Sequence, residues 1–254
     1  MPQLTPPGGS LNHFGPQAGR YVEARPRYPA AVYHYLALVS GRTRLAWDCA
    51  TGNGQAAVGL AQRFARVIAT DPSEEMIAHA IPHPRVEYRV TKYETEIAPN
   101  TVDLVAVAQA LHWLDLKPFL CEARRVLVAG GVLAAWCYST CRIEPKLDEV
   151  VDHFYRVTLG SFWPPERKHT EDGYRAIALP IDEMPVPPFE LVEEWTLWQF
   201  LAYVRTWSGV ARCLSVRGEE PVQAFEEALK FKWGNPALRR KITWPMYFRI
   251  GQLR

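Results

Sequence analysis

The chain has 254 residues, enough for one large α/β domain with a small cap. Apolar residues make up 48% and charged residues 22%, which excludes a fibrous or low-complexity chain. A net charge of +2 gives no electrostatic case for nucleic acid, and no window holds the roughly 18 apolar residues of a membrane span.

The start, MPQLTPPGGS, lacks a basic region followed by an apolar core; residues 1–13 read as a disordered tail rather than a secretory signal. Cys49, Cys121, Cys137, Cys141 and Cys213 form no CxxC pair, so they are expected as reduced thiols of a cytoplasmic protein with no metal site. No internal repeat is visible. Residues 14–29 bring Tyr21, Arg25, Arg27 and Tyr28 close to prolines, ahead of a helix predicted over 29–39.

The stretch that organises the rest is LAWDCATGNGQA, residues 45–56. An apolar run passes through Asp48 into a turn of small residues, Ala50, Thr51, Gly52, Asn53 and Gly54. Ala56, Ala57, Val58, Leu60, Ala61 and Phe64 follow at helical spacing. VIATD at 67–71 is a short strand closed by an acid, Asp71. Strand, glycine turn, helix, strand and acid make the first βαβ unit of an open nucleotide-binding sheet. Glycines let the backbone touch a ligand, and an acid ending the second strand can accept both hydroxyls of a ribose. GNGQAA also satisfies the dinucleotide pattern GxGxxA, so an NAD(P)-dependent oxidoreductase stays open on this motif. Asp48, in the spacing DxAxGxG, would put a carboxylate at the mouth of the site. That suits a ligand carrying ammonium and sulfonium groups and would repel a pyrophosphate.

Ser73 is placed to cap a new helix, with Glu74 and Glu75 at its positive end and Met76 pointing back toward the strand. VEYRV, 86–90, alternates as a third strand. VDLVAVAQ, 102–109, is a continuous apolar run, as in a strand covered on both faces. Asp115 and Pro118 open a helix to about 125; Gly130 and Gly131 make a turn, and VLAAW a fifth strand. Beyond 140, helices are predicted over 146–158, 201–214 and 221–231, and strands over 189–197 and 241–253. The proline-rich stretches SFWPPERKH and LPIDEMPVPPF are expected to be irregular, and Pro245 argues for an edge strand or a bulge.

The loop DCATGNG, the acid loop ATDPSEEMI at 69–77, AQALHW at 108–113 and RVLVAGGVLAAW at 125–136 resemble the class I S-adenosylmethionine-dependent methyltransferases. More narrowly, they resemble the type 11 branch, with its trans-aconitate-like and ubiquinone-biosynthesis-like members. The likeness covers about residues 14–140. It implies a doubly wound, seven-stranded, mostly parallel sheet whose last strand runs antiparallel beside the sixth. Residues 14–140 would be the cofactor-binding core with an N-terminal lid. Residues 141–254 would complete the sheet and supply a cap at about 141–188 and 198–240.

The implied cofactor is S-adenosylmethionine. The resemblance gives Tyr21 and Arg25 to it from the lid, and Asp48, Ala50, Thr51, Gly52 and Gly54 from the glycine loop. Asp71, Pro72, Ser73 and Met76 come from the acid loop, and Ala108, Gln109 and Trp113 from the segment after the fourth strand. Relatives carry Ala-Glu at the adenine loop, where this chain has Lys92 and Tyr93, so Tyr93 or Glu94 takes that place. The family usually has glycine at Ala50; alanine fits if its φ is negative. His112 is the candidate catalytic residue, as a base or as a donor to the acceptor. Tyr203 and Trp207 of the cap are candidates for the substrate pocket.

Methyl transfer from a sulfonium is an in-line displacement that chiefly needs alignment and exclusion of water, so no catalytic triad is expected. The reading is therefore methyl transfer to a small-molecule acceptor, at a carboxylate or hydroxyl oxygen, by a monomer or homodimer with no nucleic-acid or membrane partner. Two alternatives stand beside it: the oxidoreductase, and a non-catalytic S-adenosylmethionine-binding protein.

Overall fold

The computed structural model describes residues 24–254. Tyr21, and the first residues of the expected lid, lie outside them.

Helix α1 (Ala30–Ser40) leads into β1 (Leu45–Cys49), α2 (Gln55–Leu60), β2 (Arg66–Asp71), α3 (Glu74–Ala78) and β3 (Val86–Val90). Strand β4 (Val102–Ala108), a 3-10 turn at Leu111–Trp113, α4 (Leu116–Val126) and β5 (Leu127–Tyr138) complete the first part. Strands β1 to β5 are parallel, in the order β3-β2-β1-β4-β5. The apolar runs alternate between two cores. Ala46, Leu104, Ala106 and Ala134 face the layer holding Leu36, Leu60 and Phe64. Trp47, Val105, Val107, Leu133 and Ala135 face Phe119, Ala123 and Val126 of α4. A strand with both faces buried carries no polar alternation, which is why VDLVAVA is nearly all apolar. Asp115 caps α4, accepting from the Lys117 amide at 3.2 Å, and Ser73 caps α3, accepting from the Met76 amide at 3.2 Å.

The second part runs through α5 (Pro145–His153), a π turn at Phe154–Thr158, two 3-10 turns, α6 (Lys168–Glu171), β6 (Ile181–Glu183) and β7 (Glu190–Trp195). Helices α7 (Leu197–Arg205), α8 (Ser208–Arg217) and α9 (Glu220–Trp233) precede the closing strand β8 (Arg240–Leu253). β8 runs antiparallel to β5 on one side and to β6 and β7 on the other. β6 meets residues 251–253 of β8 and β7 meets 240–245, so the two form one sheet position broken by MPVPPF. Seven strand positions result from eight strand segments.

One local alternative is resolved and three expectations change. Pro245 is not on an edge: β8 is paired on both sides there. It lies beside a bulge, because Tyr138 pairs with Met246 while Arg142 pairs with Thr243, leaving three residues opposite two. The expected helix over 201–214 is two helices, since Thr206 turns its hydroxyl onto the Tyr203 carbonyl at 2.6 Å and Trp207 adopts extended backbone. The stretch LPIDEMPVPPF is partly regular, because Ile181–Glu183 pairs with β8. ERKH is partly helical as well.

Candidate active site

A cavity of about 180 Å³ opens at the carboxyl ends of β1, β2 and β4. This is where the strand order reverses, between β1 and β4, the place at which open α/β sheets bind ligands. Arg25, Ala50, Thr51, Gly52, Asp71, Pro72, Ser73, Met76, Ala108, Gln109 and Trp113, all expected from the sequence, line it.

The glycine loop is held from both sides. Asp71 accepts from the Gly52 amide through Oδ2 at 2.8 Å and from the Ser73 amide through Oδ1 at 2.9 Å. Burial pushes the Asp71 carboxyl up from its ordinary value, against the pull of those two amides. Gly52 has φ +57, and a Cβ built on it would meet nothing within 4 Å. The bare backbone there looks onto open space.

Asp48 is placed differently from the expectation. It is fully buried beneath the loop and does not line the cavity. Its Oδ2 accepts the Thr51 hydroxyl at 2.5 Å, which braces the turn from below. Its Oδ1 is buried with no hydrogen-bond partner among the described residues. Burial lifts the carboxyl to about 7, opposed by the Thr51 hydroxyl and the Ala57 amide and reinforced by the Asp71 charge. Gly54 also leaves the ligand side. Its φ is +84, and a Cβ would fall 2.1 Å from the Tyr88 hydroxyl, so this glycine serves the packing of the turn on β3.

Ala50 has φ +56, contrary to the condition under which alanine was expected to fit. In the loop expected to meet adenine, the residue at the cavity is one or two positions earlier than expected. Lys92 lines the cavity, whereas Tyr93 turns away to accept the Asp115 amide at 2.7 Å and to pack on Phe119. Glu94 lies outside the lining too; its carbonyl accepts the Thr91 hydroxyl at 3.1 Å.

Gln109, at φ +55, lines the cavity but spends its side-chain amide on β5. Its carbonyl accepts the Tyr138 amide at 2.8 Å and its Nε2 donates to the Tyr138 carbonyl at 3.1 Å. The Tyr138 hydroxyl accepts Arg25 Nη1 at 3.0 Å, and Arg25 Nη2 donates to the Thr206 carbonyl at 3.1 Å. Tyr138 was missed from the sequence; its signal was the aromatic residue closing the fifth strand.

A second, smaller hollow of about 50 Å³ adjoins the first and shares Arg25, Gln109 and Trp113 with it. His112, Trp163, Arg167 and Trp207 complete its wall. His112 therefore belongs to the second chamber, not the first. Its Nδ1 is hydrogen-bonded to the Tyr174 hydroxyl at 3.1 Å. Burial, then the charge of Arg167, then His169, lowers it to about 3, so the ring is neutral. Tyr203 lies behind this wall and does not line either hollow. Its hydroxyl accepts the Trp244 indole at 3.1 Å, and Arg25 sits 5.7 Å from its ring centre. Trp163 was also missed, because it sits in a proline-rich stretch with no periodicity.

These residues fit an adenosyl sulfonium cofactor. The open face at Gly52 admits a ligand against bare backbone, and the orphaned buried oxygen of Asp48 favours a cation close by. Among the described residues no group of histidine, cysteine, aspartate or glutamate is arranged to hold a metal ion. Nor is any helix there long and apolar enough to cross a membrane.

A family signature described as "Methyltransferase domain" matches residues 47–135. A Dictyostelium discoideum protein assigned as a methyltransferase is 31% identical over 221 residues, 85% of this chain and 84% of that one. A structure assigned as a type II methyltransferase of Anaeromyxobacter dehalogenans is 43% identical, with a TM-score of 0.84 over 90% of this chain and 97% of that one. A Saccharomyces cerevisiae protein, named for S-adenosylmethionine-dependent methyl transfer, is 26% identical over 153 residues, 55% of this chain and 51% of that one. The NAD(P)-dependent alternative is set aside by this agreement. The chain belongs to the class I S-adenosylmethionine-dependent methyltransferases.

Proposed function

We propose that the chain methylates an oxygen of a small molecule, a carboxylate or an acidic hydroxyl, held in the second chamber. When bound, S-adenosylmethionine supplies a methyl group already activated on sulfur. Thr51, Gly52, Asp71 and Met76 would hold it, with Asp71 toward the ribose. Arg25, Gln109 and Trp113 belong to both hollows, so they form the threshold across which acceptor and methyl group meet.

The observation that carries the reading is the setting of His112, half-buried in the second chamber beside Arg167 with Nδ1 on the Tyr174 hydroxyl at 3.1 Å. A ring held near 3 is a weak base, because proton transfer is most efficient when the base titrates near the working pH. An ammonium acceptor must lose a proton before it can attack. A carboxylate has none to lose, and an acidic hydroxyl gives its proton to water easily. His112 then serves as a neutral hydrogen-bond partner for the acceptor. The size of the chamber, walled by Trp163 and Trp207, supports a small molecule rather than a polymer.

The test is release of S-adenosylhomocysteine with a panel of carboxylic acids, phenols and amines. Turnover confined to acids and acidic phenols is expected. Turnover confined to amines would overturn the assignment. Tight cofactor binding without turnover of any class would favour the non-catalytic alternative.

A further inference from the structure

The second chamber has a strong charge asymmetry. Arg25 and Arg167 both line it, and among the described residues no aspartate or glutamate does. Arg167 closes a short turn, Pro165–Arg167, directly after Trp163 and Pro164, so one turn delivers three of the lining residues. Its guanidinium lies over the Trp163 ring, 5.0 Å from the centroid, and 5.7 Å from that of Tyr155. Among the described residues its one hydrogen bond runs from Nε to the Tyr155 hydroxyl at 2.9 Å. That hydroxyl donates in turn to Glu171 at 2.5 Å, which fixes the phenol and aims the arginine. Trp163 is pinned as well, its indole donating to the Tyr155 carbonyl at 2.9 Å.

Among the described residues the two terminal nitrogens of Arg167 therefore have no acceptor, and no carboxylate there reaches ion-pair distance of this side chain. Two other partly buried arginines show the contrast. Arg205 and Arg249 are each paired with a glutamate at 2.6 Å. A half-buried guanidinium without a counter-ion, beside a second one, is costly unless an anion arrives. A planar fork with its two outer nitrogens vacant matches a carboxylate. The indoles of Trp163 and Trp207, 5.9 Å apart between ring centres and tilted at 48°, line the hollow beside that fork.

We infer that the acceptor is a flat aromatic or conjugated acid, its carboxylate bound by the free edge of Arg167 and its ring laid against Trp163 and Trp207. Arg167 is thus a specificity-determining residue. The inference rests on the methyl-transfer reading, but the anion site stands on its own geometry.

Calorimetry on protein saturated with S-adenosylhomocysteine tests it, with benzoate, cinnamate and 2-naphthoate set against benzamide, cinnamamide and 2-naphthamide. At least one acid should bind about 10- to 100-fold more tightly than its amide, the range a charged hydrogen-bonded pair is worth. Arg167→Gln should erase that preference while leaving S-adenosylhomocysteine affinity unchanged. Arg167→Lys, which keeps the charge without the fork, should restore part of it and covers the case in which the glutamine variant is unfolded. Acid and amide binding within twofold of each other, a preference that survives Arg167→Gln, or no binding by any of the acids at millimolar concentration each overturns the proposal. Arg167-dependent binding of acids with no release of S-adenosylhomocysteine from S-adenosylmethionine would instead sink the catalytic reading and leave the anion site in place.

Discussion

Replacing Ala50 by glycine should stabilise the protein, and replacing Gly52 by alanine should destabilise it by a similar amount. Both residues sit in the left-handed region, at φ +56 and +57, two positions apart in the same turn. For alanine that region costs roughly 1–2 kcal/mol, because Cβ crowds the following carbonyl. Glycine escapes this cost but adds about 0.4–1 kcal/mol of freedom to the unfolded chain. The difference leaves Ala50→Gly about 0.5–1 kcal/mol more stable. In a domain of this length that moves the melting midpoint by roughly 1–4 °C. Gly52→Ala has the reverse sign for the same reason, with no steric clash added, since nothing lies within 4 Å of the new Cβ. Urea unfolding without cofactor measures both. Cofactor affinity then separates them: the Gly52→Ala methyl stands in the open hollow and should weaken S-adenosylhomocysteine binding, whereas Ala50→Gly only removes a methyl from the lining. The reasoning fails if Ala50→Gly lowers stability, because the Cβ would then be contributing more through packing than it costs in backbone strain.

Three further outcomes are expected. The carboxyl of Asp48 is held at about 7 in the folded chain against an ordinary 3.8, so the native state keeps a proton that the unfolded chain gives up; stability should fall as pH rises from about 4 to 7, and Asp48→Asn should flatten that slope in urea titrations. His112, lowered to about 3, is neutral across pH 5–8, so kcat/KM should show no inflection that His112→Gln removes; an inflection near 6.5 lost in the variant would contradict the assignment. A Cβ on Gly209 would press to 3.0 Å on the Trp163 ring, so Gly209→Ala should push the indole into the second chamber and raise KM for the acceptor while the cofactor dissociation constant stays put.

The centre of the sheet was legible because β4 is buried on both faces and VDLVAVAQ is therefore nearly all apolar. VEYRV was legible for a different reason, the alternation of a partly buried edge strand, and Asp71 as the acid that ends a β-branched run. The cap was less so. A helical pattern over 201–214 does not reveal that Thr206 bends its hydroxyl back onto the Tyr203 carbonyl and splits the helix. The spacing of Asp48 put its carboxylate at the mouth of the site, whereas the structure buries it beneath the loop, because depth is not written in spacing. A residue on the strand side of the turn points into the core, and the loop it supports comes between it and any ligand. Trp163 and Arg167 fell in a proline-rich stretch whose shape is set by tertiary contacts, chiefly the Tyr155 phenol and backbone, and local pattern carries no trace of those.

The cleft itself comes from a paired backbone departure. Ala50 is the residue after the last of β1, and Gln109 the residue after the last of β4. These are adjacent parallel strands, and both chains turn left-handed at the same level, φ +56 and +55. Neither residue is glycine, so both positions carry strain of the kind that persists where surrounding structure over-determines the backbone. The compensation differs. Gln109 recovers it with two side-chain hydrogen bonds to the Tyr138 backbone, and its own amide donates to the Trp136 carbonyl at 2.8 Å. Ala50 has no side-chain polar group with which to do the same, and the turn it opens is secured instead by Asp48 below and Asp71 beside it. One wall of the threshold is thus clamped by an amide side chain to β5, and the other is braced by two carboxylates whose charge burial opposes. A cationic ligand between them relieves the second wall and not the first. On the proposed function, the adenosyl sulfonium takes the Asp71 side of this opening and an anionic acceptor the Arg167 side, which sets a nucleophile facing the methyl group.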